Sequence, residues 1–129
     1  MLPSPQLLGT VLQVHTEWAW MVILSNGIVG LWALGAHWLK PLRVKALWWF
    51  VVVAELTIFV QVAMGVYMVA SGQQKAPQFH MFYGFVAIIT VAILYSYRNS
   101  LRAWQYLLYG GGSLFLMGLG IRAVIVGLR

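Results

Sequence analysis

Residues 18–39 read WAWMVILSNGIVGLWALGAHWL, and this stretch decides the fold. It carries no Lys, Arg, Asp or Glu. A helix needs about 20 mostly apolar residues to cross a bilayer. Three more runs share this character, at about 47–70, 79–97 and 104–128. The second is uncharged except for Glu55, and the fourth is interrupted near its end by Arg122. Runs of this length do not alternate in and out as barrel strands must. Breakers stand between them: Pro41 after the first, Gly72 after the second and Pro77 before the third. The reading is all-α: one domain over residues 1–129, an integral membrane four-helix bundle running up-down-up-down. Residues Pro5 to Val14 are expected to form a short interfacial helix ahead of it.

Composition agrees. Of 129 residues, 62% are hydrophobic and 8% charged, where a soluble domain is about half apolar and a quarter charged. A small soluble domain cannot hide that much apolar surface. A soluble monomer and a disordered chain are therefore excluded. The net charge of +6 comes from short basic clusters between apolar runs, so the partner is expected to be the lipid bilayer and not nucleic acid. Cysteine is absent, which removes disulfides, thiol catalysis and thiolate metal sites. No Walker motif, GxGxxG, G-x-S-x-G or HExxH occurs, so no hydrolase, kinase or dehydrogenase machinery is visible.

The same charges set an orientation. Lys40, Arg43 and Lys45 fall in the first connection, and Arg98 and Arg102 in the third. The second holds only Lys75, and nothing basic precedes Lys40. Basic loops stay cytoplasmic, so both termini are expected outside, in the cytoplasmic membrane of a prokaryote. Arg122 and Arg129 weigh against this. Trp18, Trp20, Trp38, Trp48, Trp49 and Trp104 fall near the predicted span ends, as an interfacial aromatic belt would.

Eleven residues make about three helical turns. His15, Asn26 and His37 are eleven apart, with Ala19, Val22, Gly30 and Ala33 on the same stripe. Polar and small residues favour helix contacts over lipid, so this face is expected to pack inward. The corresponding stripes are His80, Gly84 and Ala87 in span three, Gln61 and Gly65 in span two, and Gly111, Gly118 and Arg122 in span four. No GxxxG occurs to signal close helix pairing. Gln13-Val14-His15 and Gln78-Phe79-His80 hint at a repeat offset by 65 residues.

His15 and His80 fall at similar depth near the outer ends of helices one and three. Two imidazoles facing across a bundle can ligate a haem iron axially. Gly84, one turn below His80, leaves room for a flat macrocycle, and Arg122 can pair with a propionate. The helix count and the two histidines resemble the b-type cytochromes of the four-helix membrane kind, and half of haem A synthase. That resemblance implies a haem b held by His15 and His80. Those families usually carry further histidine pairs, whereas His37 has no partner histidine at the inner side. A metal site of His15, Glu17 and His80 is disfavoured, because on a helix Glu17 points about 200° from His15.

Glu55 sits eight residues into span two, about 12 Å of helix from its inner end. A charge there is costly, so it is expected to be neutral or partnered and to face protein. It lies about 120° from Gln61 around the helix, with His37 and Asn26 as candidate partners from span one. Three functions follow. The first is a non-enzymatic subunit or accessory factor docking other membrane subunits or its own copies. The second is a haem b cytochrome or haem-handling protein. The third is a small oligomeric transporter or channel with Glu55 in the path.

Overall fold

A computed structural model describes residues 3–72 and 75–128; Arg129 lies outside them. The described residues form four long helices, with 3₁₀ turns at Lys40–Leu42 and Arg102–Trp104, and no strand. They are α1 (Pro5–Trp38), α2 (Lys45–Ala70), α3 (His80–Tyr97) and α4 (Gln105–Gly127). All four are long and apolar enough to cross a membrane, which is compatible with an integral multi-pass protein.

The start of α1 is explicit in the sequence. Ser4 is extended and its hydroxyl accepts from the Leu7 N–H at 3.1 Å, with Pro5 as the first helical residue. An oxygen-bearing cap followed by proline is a favourable helix start. No glycine-proline break follows. The segment expected as a separate interfacial helix is therefore the first part of one helix of 34 residues, about 51 Å long. The other end of α1 is closed from the connection. Arg43 donates through Nε to the Ala36 carbonyl and through Nη2 to that of His37, both at 2.7 Å. Terminal helix carbonyls lack intrahelical donors, so Arg43 does more than mark a side of the membrane. Trp32 adds an indole N–H bond to the Leu42 carbonyl at 3.0 Å.

The turn after α2 uses Gly72 at φ 78, a left-handed conformation that glycine adopts freely. Phe79 also has positive φ, at 68°, a conformation costing a side-chain-bearing residue roughly 1–2 kcal/mol. It turns the chain so that His80 is the first residue of α3. His15, by contrast, lies in the third turn of α1. The similar tripeptides thus sit in different local structures.

Contacts fix the packing. Trp18 donates to the Thr57 carbonyl at 2.9 Å, Asn26 to that of Ala54 at 3.3 Å, and Trp32 meets Phe50. Numbers rise on α1 as they fall on α2, so the two are antiparallel. The pairs Gly27 with Met117, Gly30 with Leu114 and Leu34 with Gly110 show the same for α1 and α4. The pairs His80 with Ala123 and Leu94 with Gly112 show it for α3 and α4. The helices run in order around the bundle, with α1 and α3 on a diagonal, and the α2–α3 seam is the thinnest. The start of α1, the end of α2, the start of α3 and the end of α4 lie at one end, called here the termini end.

The stripe read on α1 is a face it buries: Val22, Asn26, Gly30 and Ala33 are all buried. The stripe read on α4 is not. Gly111, Gly118 and Arg122 are exposed, and the inward face carries Gly110, Ser113, Leu116 and Leu119. Nor does close pairing require GxxxG. A Cβ on Gly110 would lie 2.8 Å from the Leu34 nitrogen, and one on Gly30 would lie 2.9 Å from the Leu114 nitrogen. Each helix contributes glycine opposite the other's backbone. Two belt candidates are also diverted inward: Trp18 bonds α2, and Trp48 packs on Tyr106 and Tyr109.

Candidate functional site: a histidine-bearing cavity

At the termini end the four helices and the α2–α3 connection surround a partly open cavity of about 260 Å³. Its wall is mostly apolar, including Leu12, Val22, Ile58, Val62, Ala87 and Leu116. The polar exceptions include His15, Gln61, Lys75, His80 and Tyr83. Glycines widen it: Gly65, Gly84, Gly120 and Gly127 all line the space.

The two histidines meet there, with ring centroids 5.9 Å apart and planes at 73°. Each is positioned by its neighbours. Gln61 donates to the His15 carbonyl at 2.7 Å. The His15 ring rests over Gly65, where a Cβ would lie 3.3 Å from Cε1. On span two, Gln61 and Gly65 were read as a stripe one turn apart; both support His15. Across the cavity, His80 Nδ1 is 2.9 Å from the Ala123 carbonyl, and its ring lies over Gly127. A carbonyl only accepts, so Nδ1 is the donor of this bond, which leaves Nε2 as the nitrogen able to ligate when the ring is neutral. Metal-binding histidines are commonly held in this way, by a bond from the far nitrogen to a carbonyl. The sequence offered no signal for Ala123 or Gly127, because an α4 backbone contact leaves no residue-type mark.

Two buried polar atoms of this wall have no hydrogen-bond partner among the described residues: His15 Nδ1 and Gln61 Oε1. Native buried polar atoms are mostly paired, and exceptions often mark ligand or catalytic sites. The spacing also suits a ligated ion. Metal–imidazole bonds of about 2 Å on each side set the ring centroids roughly 6 Å apart. The donor set is nitrogen only, and no group of three His, Cys, Asp or Glu among the described residues is placed to hold a metal ion. Glu17 is instead an exposed acceptor for Gln13 on α1.

Arg122 lies on the exposed side of α4, donating to the Tyr83 hydroxyl at 3.4 Å with its guanidinium 6.0 Å from that ring. Tyr83 lines the cavity. Lys75 lines it too, a residue that the sequence marked only as the lone cation of the second connection.

The remaining polar candidates stand apart from the histidines. Glu55 is half-buried and shares the inner face of α2 with Trp48, Val51, Ile58 and Val62, at helical spacings of three, four and seven. Its Oε2 is buried without a partner among the described residues. Neither candidate partner bonds to it. Asn26 is fully buried and donates to the Val22 and Ala54 carbonyls. His37 stacks on Trp104 at 6.0 Å near the opposite end of the bundle. The titratable neighbour within electrostatic reach of Glu55 is Tyr109 of α4.

Comparison of the chain with protein-family models, with curated proteins and with solved structures finds no match.

Proposed function

We propose that this is a membrane haem-binding protein in which His15 and His80 would hold the iron. The observation that carries this reading is the 5.9 Å approach of the two rings across an apolar cavity, with the far nitrogen of His80 held by a carbonyl. A haem held there supplies one-electron transfer, its potential set by the axial ligands and by burial. The chain's own residues would do the rest. Gln61 and Gly65 fix His15; Ala123 and Gly127 fix His80. Gly84, which lines the cavity, adds no side chain to the α2–α3 wall. Lys75 on the wall and Arg122 on Tyr83 would supply cations for the carboxylate side groups of a haem.

In this reading both termini and the cavity face the outside of a prokaryotic cytoplasmic membrane, because the basic first and third connections stay inside. Protein purified in mild detergent should show a Soret band and a reduced α band. His15→Ala and His80→Ala should each abolish them, and His37→Ala should retain them. A colourless preparation that also refuses added haemin would sink the proposal.

A second reading, an accessory subunit docking other membrane subunits or a second copy, has its own support. Gly111 and Gly118 lie on an exposed face of α4 with nothing within 4 Å of an added Cβ, and small residues permit close helix approach in lipid. Crosslinking in native membranes should then capture a specific neighbour at this face; capture of none would remove it.

A further inference from the structure

Glu55 is not among the residues that line the cavity, but Ile58, three residues further along α2 toward the termini end, is. The lining also includes Val22, Ala87 and Leu116, so each helix contributes a buried apolar residue to it. Glu55 precedes Ile58 by three residues, about 4.5 Å along the helix, on the same inner face. On its other side the bundle is closed by rings. Trp48 packs on Tyr106 and on Tyr109, each at 5.5 Å, and Arg43 covers Tyr106 at 5.0 Å. Along α2 Glu55 thus stands between the cavity-lining Ile58 and Trp48 of the ring cluster.

We propose that Glu55 is a proton-exchanging site served from the histidine cavity, with the layer of Val22, Ile58, Ala87 and Leu116 as the gate. The transfer is of a proton alone. The Glu55 O–H bond breaks to leave a carboxylate, and the proton passes to water entering from the cavity, which carries it as hydronium to the solvent at the open side; the Glu55 Oε2 is buried with no hydrogen-bond partner among the described residues. The reverse step reprotonates Glu55, so charge is conserved each way. The titratable group of α4 within electrostatic reach of Glu55 is Tyr109. This inference needs no bound haem, so it stands or falls separately from the proposal above.

The test is infrared spectroscopy of the full chain in lipid vesicles. The chain has two carboxyl side chains, Glu17 and Glu55, which makes assignment direct. A protonated-carboxyl C=O band at neutral pH should vanish in Glu55→Gln and survive in Glu17→Gln. On transfer to D₂O that band should shift, and Ile58→Ala should speed the shift by about tenfold or more. Trp48→Leu, which loosens the aromatic side, should leave the rate within about twofold. If Ile58→Ala fails to fold, Ile58→Val removes a single methyl group and should still accelerate exchange. The proposal is overturned if no neutral-pH band belongs to Glu55. It is equally overturned if thinning at Ile58 leaves the rate unchanged, or if Trp48→Leu accelerates it as much.

Discussion

The α1–α4 seam and the α2–α3 seam both join antiparallel apolar helices, yet one is closed and the other ajar. Along α1 and α4, glycine on each side meets backbone on the other: Gly30 opposite Leu114, Gly110 opposite Leu34. Along α2 and α3 the nearest glycine approach is looser, with Val62 Cγ2 at 3.6 Å from a Cβ built on Gly84. Lipid offers little hydrophobic drive between helices, so closeness there comes from shape. Where the shapes interlock, the bundle is solid. Where they do not, a cavity remains, and both histidines look into it from the diagonal. The difference teaches that glycine placement helps decide which side of a four-helix fold closes and which stays accessible.

The sharpest way to break the comparison is Gly110→Ala. The added methyl would lie 2.8 Å from the Leu34 nitrogen and 2.9 Å from its Cα. Backbone cannot rotate aside as a side chain can, so the helices must part along the seam. Overpacking of this kind costs about 1–3 kcal/mol, and the upper part of that range is expected. Reversible unfolding in mixed micelles should register it as a clear loss of stability. An unchanged midpoint would mean that the α1–α4 seam is not closed by backbone contact.

How much of this was legible beforehand differs by residue. The four helices were legible because each is a long apolar run bounded by proline, glycine or a polar connection, as a helix long enough to span would be. The α1 face was legible because its polar and small residues repeat at helical spacing among large ones. The α4 face was not. Glycine occurs at 110, 111, 112, 118 and 120, so several faces look equally small, and the choice among them depends on Leu34 and Leu94, which no pattern on α4 reveals. The matching depth of His15 and His80 was readable from span positions. The bonds that orient them come from a glutamine on α2 and a carbonyl on α4, and depend on tertiary packing. For Glu55, position along the span gave burial, but not the packing that leaves Asn26 and His37 occupied elsewhere.

A smaller effect is expected where α2 supports the open side. Gln61→Leu removes the donor to the His15 carbonyl, a bond of 2.7 Å, while keeping the volume of the wall. Interhelical hydrogen bonds in membranes average about 0.6 kcal/mol, with about 1.7 kcal/mol as an upper bound. The loss should stay within that range and below that of Gly110→Ala. The informative readout is the site itself. If haem is bound, its absorption bands should shift or broaden as His15 loses its anchor, although both imidazoles remain. Bands identical to wild type would show that Gln61 contributes to stability without positioning His15.

The smallest effect is expected from Gly84→Ala, chemically the same change as Gly110→Ala on the opposite seam. An added methyl there meets Val62 Cγ2 at 3.6 Å, an ordinary contact distance, so no backbone need move. In water alanine would gain about 1 kcal/mol over glycine in a helix interior. In lipid the separated helices remain helical, because their backbone has no other hydrogen-bond partners, and most of that gain cancels. The net change should fall within about 0.5 kcal/mol of wild type. A loss as large as that of Gly110→Ala would mean that the α2–α3 seam is as tightly closed as its counterpart, and that the cavity has no open side. A larger residue sharpens the same point. Gly84→Phe should leave stability largely intact while filling the space beside His80, so it should suppress ligand uptake far more than unfolding, a separation that a merely structural glycine would not produce.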